Sequence, residues 1–262
     1  MSDTVAVVTG ASSGIGRALS ETLARRGHRV LGVARRAEAL ATLARAWPQV
    51  SPYATDLCSA AARAELVAKM LAEHATPAYV ILNAGLAHYG RLERLTWAEV
   101  AEQIEVNVVA VVDLTRRLLP ALLAARRGRI LIISSVLGLG AVPYAATYAA
   151  TKHAMNGFVR ALRLDLRGSG VSVSAVCPAG VRTAFSANAT GVAGSHRSGQ
   201  EPLDRVVHGI VRQLDCDRAV LYPTAKSRWL GTLLRYLPSV ADWYVYTVSR
   251  GAFERQLLES RR

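Results

Sequence analysis

Short, almost wholly apolar runs alternate along this chain with stretches whose apolar residues recur at helical spacing. "TVAVVTG", "RVLGVARR", "VSPYAT", "AYVILNAG", "RILIISS", "VSVSAVCP" and "RAVLYP" have the length and composition of strands. Between them, "GIGRALSETLARRG" and "AEALATLARAW" read as helices, the first stopped by Gly27. Further helices are expected near 60–73, 97–125, 147–168 and 202–214. Strands apolar on both faces, separated by helices, predict a parallel sheet covered on both sides. The expected fold class is α/β, a doubly wound parallel sheet of about seven strands.

Two segments break the alternation. Residues 182–200, "RTAFSANATGVAGSHRSGQ", are small, polar and glycine-rich, and predict a mobile loop after a strand end, where ligands of such sheets bind. Beyond Pro223 a second pattern starts. Trp229, Leu230, Leu233, Leu234 and Leu237 fall at helical spacing, Pro238 interrupts, and "VADWYVYTV" continues. The chain is therefore divided into a core domain, 1–224, and an amphipathic helical appendage, 225–262. Seven of its sixteen aromatic residues lie between Tyr222 and Phe253. Aromatics beside Lys and Arg around leucines suit an anionic membrane surface, through 225–250. The competing reading is a helical pair that caps a cleft or joins subunits. Pro238, Arg235 and Asp242 rule against a membrane-spanning helix.

Composition adds modest limits. Hydrophobic residues make up 51% and charged residues 19%, enough apolar material for one large core. Cys58, Cys177 and Cys216 are odd in number and scattered, which fits neither disulfides nor a metal cluster and points to a reducing cytoplasm. An apolar strand already starts at Val5, where a cleaved leader would remove part of the fold. Cytoplasmic location is expected, with the appendage as the part that would meet the inner face of a membrane. The net charge is +13, but the arginines are dispersed on helix faces without a nucleic-acid-binding motif. A solvated basic surface is the default reading, and no nucleic acid partner is expected. No His/Cys/Asp cluster has metal-ligand spacing, so no metal site is predicted.

"TGASSGIG" follows the first strand and opens the first helix. Gly10, Gly14 and Gly16 let the backbone turn tightly against a ligand. Ser12, Ser13 and Ile15 complete a turn whose helix N-terminus suits a pyrophosphate. This makes the sheet Rossmann-like and predicts dinucleotide binding. An NAD site commonly has a carboxylate at the end of the second strand, for the ribose 2′-hydroxyl. Here that place reads Ala34, Arg35, Arg36. A guanidinium can pair a 2′-phosphate, so NADP(H) is expected over NAD(H), with Arg35 as the main contact.

Tyr148 and Lys152, in "YAATK", are four apart on a predicted helix and share a face. A free tyrosine has a pKa of about 10. Lowering it by about 3 units takes about 4 kcal/mol of preference for the phenolate. An ammonium about 4 Å away supplies about 1 kcal/mol in water and about 4 kcal/mol at an effective dielectric near 20. The pair can act near neutrality only where water is largely excluded. Lysines are scarce, at Lys69, Lys152 and Lys226, so one at this spacing is informative.

Together these motifs resemble the short-chain dehydrogenase/reductase family. "TGASSGIG" matches its cofactor turn, and Asn83, Ala84 and Gly85 its "NAG" motif. Asn107 falls where the family has a helix asparagine, and Ser135 lies thirteen residues before Tyr148. "CPAGVRT" resembles the segment that packs on the nicotinamide, and the resemblance runs from about Val5 to Tyr222. It implies Tyr148 as general acid in reduction and base in oxidation, and Ser135 as partner of the carbonyl oxygen. Lys152 would lower the tyrosine pKa and hold the nicotinamide ribose. Asn107 would order a relay water, and Asp56 and Leu57 would flank the adenine. Pro178, Gly180, Val181 and Thr183 would meet the cofactor. The family pattern is Pro-Gly-x-Val-x-Thr, whereas here Ala179 precedes the glycine. Either Ala179 takes an allowed conformation or the local turn differs. A homodimer or homotetramer is also implied.

The function expected is hydride transfer between NADP(H) and a carbonyl or alcohol, lipophilic because of the apolar appendage. Alternatives are a ketoacyl reductase docking an acidic carrier protein at Arg126, Arg127 and Arg167, a nucleotide-sugar epimerase or dehydratase, and a catalytically silent NADP-binding regulator. Tyr144, and less strongly His88 and Tyr89, are substrate-cleft candidates. Ser134 and His153 are read as structural.

Overall fold

The computed structural model describes residues 4–183, 185, 200–243 and 245–247. The expected mobile loop at 182–200 and the tail residue Phe253 fall wholly or largely outside them. Seven parallel strands form one sheet in the order β3-β2-β1-β4-β5-β6-β7. Along β1 (Val5–Thr9), Val5 and Val7 enter the core on one face, and Ala6 and Val8 the core on the other. That alternation is what a strand buried on both sides requires. Leu66 of α3 (Ala60–Glu73), Leu118 of α5 (Ala110–Ala124) and Val159 of α6 (Ala146–Asp165) fill the first face. Leu23 of α1 (Gly14–Arg25), Leu43 of α2 (Ala37–Ala46) and Ile210 of α7 (Leu203–Val211) fill the second.

β1 pairs with β2 (Arg29–Ala34) on one side and β4 (Tyr79–Leu82) on the other. The chain winds away from β1 in both directions, so a crevice opens beyond the carboxyl ends of these strands. β3 (Val50–Ala54) contains Pro52, which lacks an N–H; its place at the sheet edge accommodates that. β5 (Gly128–Ile133), β6 (Val171–Val176) and β7 (Val220–Leu221) complete the sheet.

The helix expected over 97–125 is not continuous. α4 (Trp97–Ile104) starts at a capping box of Thr96 and Glu99, then gives way to a π-helical turn, Glu105–Val109, before α5. A π turn needs no glycine or proline, so apolar periodicity does not reveal it. The appendage begins with α8 (Ala225–Tyr236), whose N-cap Thr224 accepts from Ser227 N–H at 3.0 Å. After Leu237 the chain is helical again from 238 to 243. Leu234 and Ala241 pack on Val136 and Ala179 of the core. No described helix is long and apolar enough to cross a membrane.

Candidate active site

A cavity of about 730 Å³ lies at the carboxyl ends of the central strands. Its floor is the turn between β1 and α1. Gly10 has φ 71° and Gly14 φ 54°, in the left-handed region that favours glycine. At Gly16 the reason is space: an added Cβ would sit 2.3 Å from the Gly10 carbonyl oxygen. α1 has no side-chain cap on Ser13 and no acidic residue in its first turn. Its N–H groups and positive dipole end are thus left for an anion, and the residues present fit a dinucleotide pyrophosphate. Ser12, Ser13, Gly14 and Ile15 line the cavity. Thr183 reaches the same turn from the β6 side, 3.4 Å from where a Gly14 Cβ would stand.

Asn83 holds this turn to the end of β4. Its amide Nδ2 donates to the Thr9 carbonyl at 3.0 Å, while Thr9 Oγ1 accepts from Asn83 N and Ala84 N, both at 2.9 Å. The two-handed role of Thr9 is not visible in the sequence, where it reads only as the last strand residue. Asn83, Ala84 and Gly85 line the cavity, as do Asp56 and Leu57 beyond β3. Asp56 Oδ1 accepts from Cys58 N at 3.1 Å, which fixes that corner.

Both arginines after β2 line the cavity, but they are held differently. Arg36 donates to Ser12 Oγ at 3.1 Å through Nη2, drawing it over the glycine turn. Arg35 lies 3.5 Å from Glu102 of α4 and is largely exposed. Both arginines thus stand at the end of the cavity where the sequence expects the 2′-phosphate, with Arg35 as the expected main contact. A carboxylate from a distant element, Glu102, also lines this end of the cavity, a neighbour that the local sequence did not announce.

At the other end, α6 presents Tyr148 and Lys152 into the cavity, with Ser135 from the turn after β5. Burial pushes the Tyr148 phenol well above the usual tyrosine range; the neighbouring Tyr89 adds to this and a hydrogen bond with Ser135 opposes it. The Lys152 ammonium stands 5.5 Å from the Tyr148 ring centre and donates to the Ile133 carbonyl at 2.9 Å. Burial lowers its pKa to about 8. The expected lowering of Tyr148 by Lys152 is not the balance found in the protein alone. Excluding water strengthens the charge–charge attraction but also penalises the phenolate, and the second effect is larger here.

Asn107 does not line the cavity. It sits buried in the π turn, with Oδ1 accepting from Leu86 N at 3.0 Å and Nδ2 donating to the Leu86 carbonyl at 2.9 Å. A Cβ on Gly85 would be 3.1 Å from Asn107 Oδ1 and 3.7 Å from Lys152 Nζ, so these groups crowd one spot. Ser134, read as structural, donates to the Lys152 carbonyl at 3.3 Å. His153, read the same way, bonds its own helix at Ala149.

The substrate end is aromatic. Tyr89 and Phe185 stand 5.7 Å and 6.1 Å, centre to centre, from the Tyr148 ring. Leu137, Val142 and Leu230 add apolar wall. Phe185 was hidden in a polar loop sequence. His88 lines the cavity, but its Nε2 is 3.1 Å from Glu102. Tyr144 is not part of the lining. It takes φ 63°, and its carbonyl accepts from Gly90 N at 2.8 Å, so its part is in the turn.

The displaced glycine of "CPAGVRT" now has an explanation. Neither Ala179 nor Gly180 has a positive φ, so no glycine is demanded at either place. The Ala179 methyl instead packs with Leu234 of α8. Ala179 N–H donates to Ser227 Oγ at 3.0 Å, and Ser227 Oγ lies 3.0 Å from the carboxylate of buried Glu201. Sequence reading missed both Ser227 and Glu201. Pro178, Gly180, Val181 and Thr183 line the cavity beside this joint. Arg126 and Arg127 precede β5, and Arg167 follows α6, so all three sit at the amino ends of the strands, away from the cavity. They are not placed to guide a carrier-bound acyl group into it.

This fold and constellation define a nicotinamide-dependent oxidoreductase of the doubly wound class. The short chain dehydrogenase family model matches residues 4–191, and the chain belongs to that family. An uncharacterized oxidoreductase of Myxococcus xanthus is 36% identical over 191 residues, 71% of this chain and 76% of its own length. A 3-ketodihydrosphingosine reductase of Bacteroides thetaiotaomicron is 32% identical over 189 residues, 72% and 68% of the two chains. A short-chain dehydrogenase from Sphingobium yanoikuyae, solved in complex with NADPH, superposes with a TM-score of 0.79 at 30% identity, over 86% of this chain and 90% of that one. Other structures of the fold are complexes with NADP or with NAD, so membership leaves that choice to this chain's own residues.

Proposed function

We propose that this protein transfers hydride between NADP(H) and the carbonyl or alcohol group of a lipophilic substrate, with Tyr148 as acid and base. The observation that carries this reading is one cavity holding both a glycine turn flanked by Arg35 and Arg36 and a Ser135–Tyr148–Lys152 group walled by aromatics. A bound nicotinamide supplies or accepts the hydride. Tyr148, protonated because it is buried, delivers its phenolic proton to the carbonyl oxygen in reduction and takes it back in oxidation. Ser135 Oγ donates to the same oxygen as negative charge builds on it. Lys152 is in reach to stabilise the phenolate left behind, which is worth most in a site closed to water. Arg35 and Arg36 pair with the 2′-phosphate.

The substrate class is argued from the wall: Tyr89, Phe185, Leu137 and Val142 offer area for apolar chains and little for sugar hydroxyls. The name of the Bacteroides relative, a reductase of a ketodihydrosphingosine, agrees with this. The test is NADPH oxidation with a panel of long-chain ketones, a polyol ketone and an acyl thioester. Turnover of the first alone supports the reading, whereas preference for the thioester favours a ketoacyl reductase. No turnover of any, with NADPH still bound, would leave the silent regulator.

A further inference from the structure

We infer that the outer face of the C-terminal appendage docks on an anionic lipid bilayer while its inner face walls the substrate end of the cavity. The two faces belong to one helix. On the inner side of α8, Leu230 lines the cavity and Leu234 is buried against the core. On the outer side, Trp229 is 66% exposed and Tyr236 68% exposed, seven residues apart and so nearly in line along the helix. The face continues after Leu237 with Val240, Trp243 and Tyr246, all exposed. Of the twelve large hydrophobic side chains exposed among the described residues, six lie in this short stretch, which marks it as an interaction surface rather than chance exposure.

The charge beside these rings selects the occupant. Arg228 and Arg235, also seven apart, run alongside Trp229 and Tyr236 and are exposed. Asp242 is the one carboxylate in the described part of the appendage. Trp and Tyr settle at the headgroup level of a bilayer, and long cationic side chains reach from there to lipid phosphates. A second copy on a two-fold axis would instead set these cations against themselves. The whole chain, at +13, is drawn to the same negative surface.

The experiment is flotation of the full-length protein with vesicles of phosphatidylcholine alone, or of phosphatidylcholine with phosphatidylglycerol, and sedimentation of the protein without lipid. Binding to the anionic vesicles alone is expected. Arg228→Gln and Arg235→Gln should each weaken it about fivefold, and Trp229→Ala or Trp243→Ala about tenfold. All four positions are exposed, so melting temperature should stay that of the wild type. Absence of flotation overturns the inference. So does a concentration-dependent dimer that Trp229→Ala dissolves, since the face would then belong to a second copy. These readouts do not involve turnover, so they stand apart from the proposed reaction.

Discussion

Lys152 Nζ donates one of its three N–H groups to the carbonyl of Ile133 at 2.9 Å and stands 5.5 Å from the centre of the Tyr148 ring. The ammonium is buried, and burial brings its pKa from 10.5 to about 8. In the unfolded chain the same lysine keeps its proton until about pH 10.4. Between these values the unfolded state binds more protons, so stability attributable to Lys152 rises with pH. Below about pH 8 it is a fixed cost on the order of 3 kcal/mol.

Denaturant unfolding of the cofactor-free protein from about pH 7 to about pH 10 reads this directly. Buried tyrosines and Cys177, whose pKa values burial raises, act in the opposite direction at the upper end. The useful quantity is therefore wild type minus Lys152→Met. That difference should grow in favour of the wild type as pH rises through 8 to 10. A difference independent of pH contradicts a buried ammonium.

Tyr148 is expected to behave asymmetrically. Its raised pKa keeps the phenol protonated across the neutral range, the form that reduction uses. Oxidation needs the rare phenolate, so its rate should climb with pH, up to about tenfold per unit from about pH 6 to about pH 9. Tyr148→Phe should lower turnover in both directions by about 10²–10⁴-fold with NADPH affinity within about twofold. Unchanged turnover in that variant refutes the mechanism.

Much of this was legible beforehand, for identifiable reasons. Val5 to Val8 announce a doubly buried strand because alternation has nothing polar to hide, and Gly10, Gly14 and Gly16 announce the turn because no other residue fits it. The π turn that buries Asn107 left no trace, since it changes hydrogen bonding without changing composition. Phe185, Glu201 and Glu102 were missed because each is brought to the site by tertiary packing from far along the chain. In the protein alone, desolvation of the phenolate holds the Tyr148 phenol above its usual range, whereas the lowering expected from Lys152 belongs to a site closed by its cofactor.

The arginine pair makes a prediction about cofactor choice. Arg36 is already over the glycine turn through Ser12, and Arg35 stands free to approach from the Glu102 side once that long contact opens. Removing both guanidinium groups, in Arg35→Ala/Arg36→Ala, should weaken NADPH binding by about 10-fold to 100-fold and leave NADH within about threefold. Titration of protein fluorescence with each cofactor checks it. Equal wild-type affinities for the two would sink the claim for NADP(H).

Ser227 ties the appendage to the cofactor-side segment. Its hydroxyl meets Ala179 N–H and the Glu201 carboxylate in a spot closed to water, and Glu201 N in turn donates to the Gly180 carbonyl at 2.7 Å. Ser227→Ala leaves a buried N–H and a buried carboxylate oxygen short of a partner, which costs about 1–3 kcal/mol. For a chain of this size the melting temperature should fall by about 2–4 °C for each kcal/mol lost. The loosening should be local first. α8 is held to the core by a small group of apolar contacts around Leu234 and Ala241, so protease should cut the appendage of Ser227→Ala well before the sheet domain. Because Leu230 of that helix lines the substrate end, KM for a long-chain ketone should rise while NADPH affinity holds. A variant that loses the cofactor and the ketone equally would show that Glu201 and Ser227 brace the whole cavity instead.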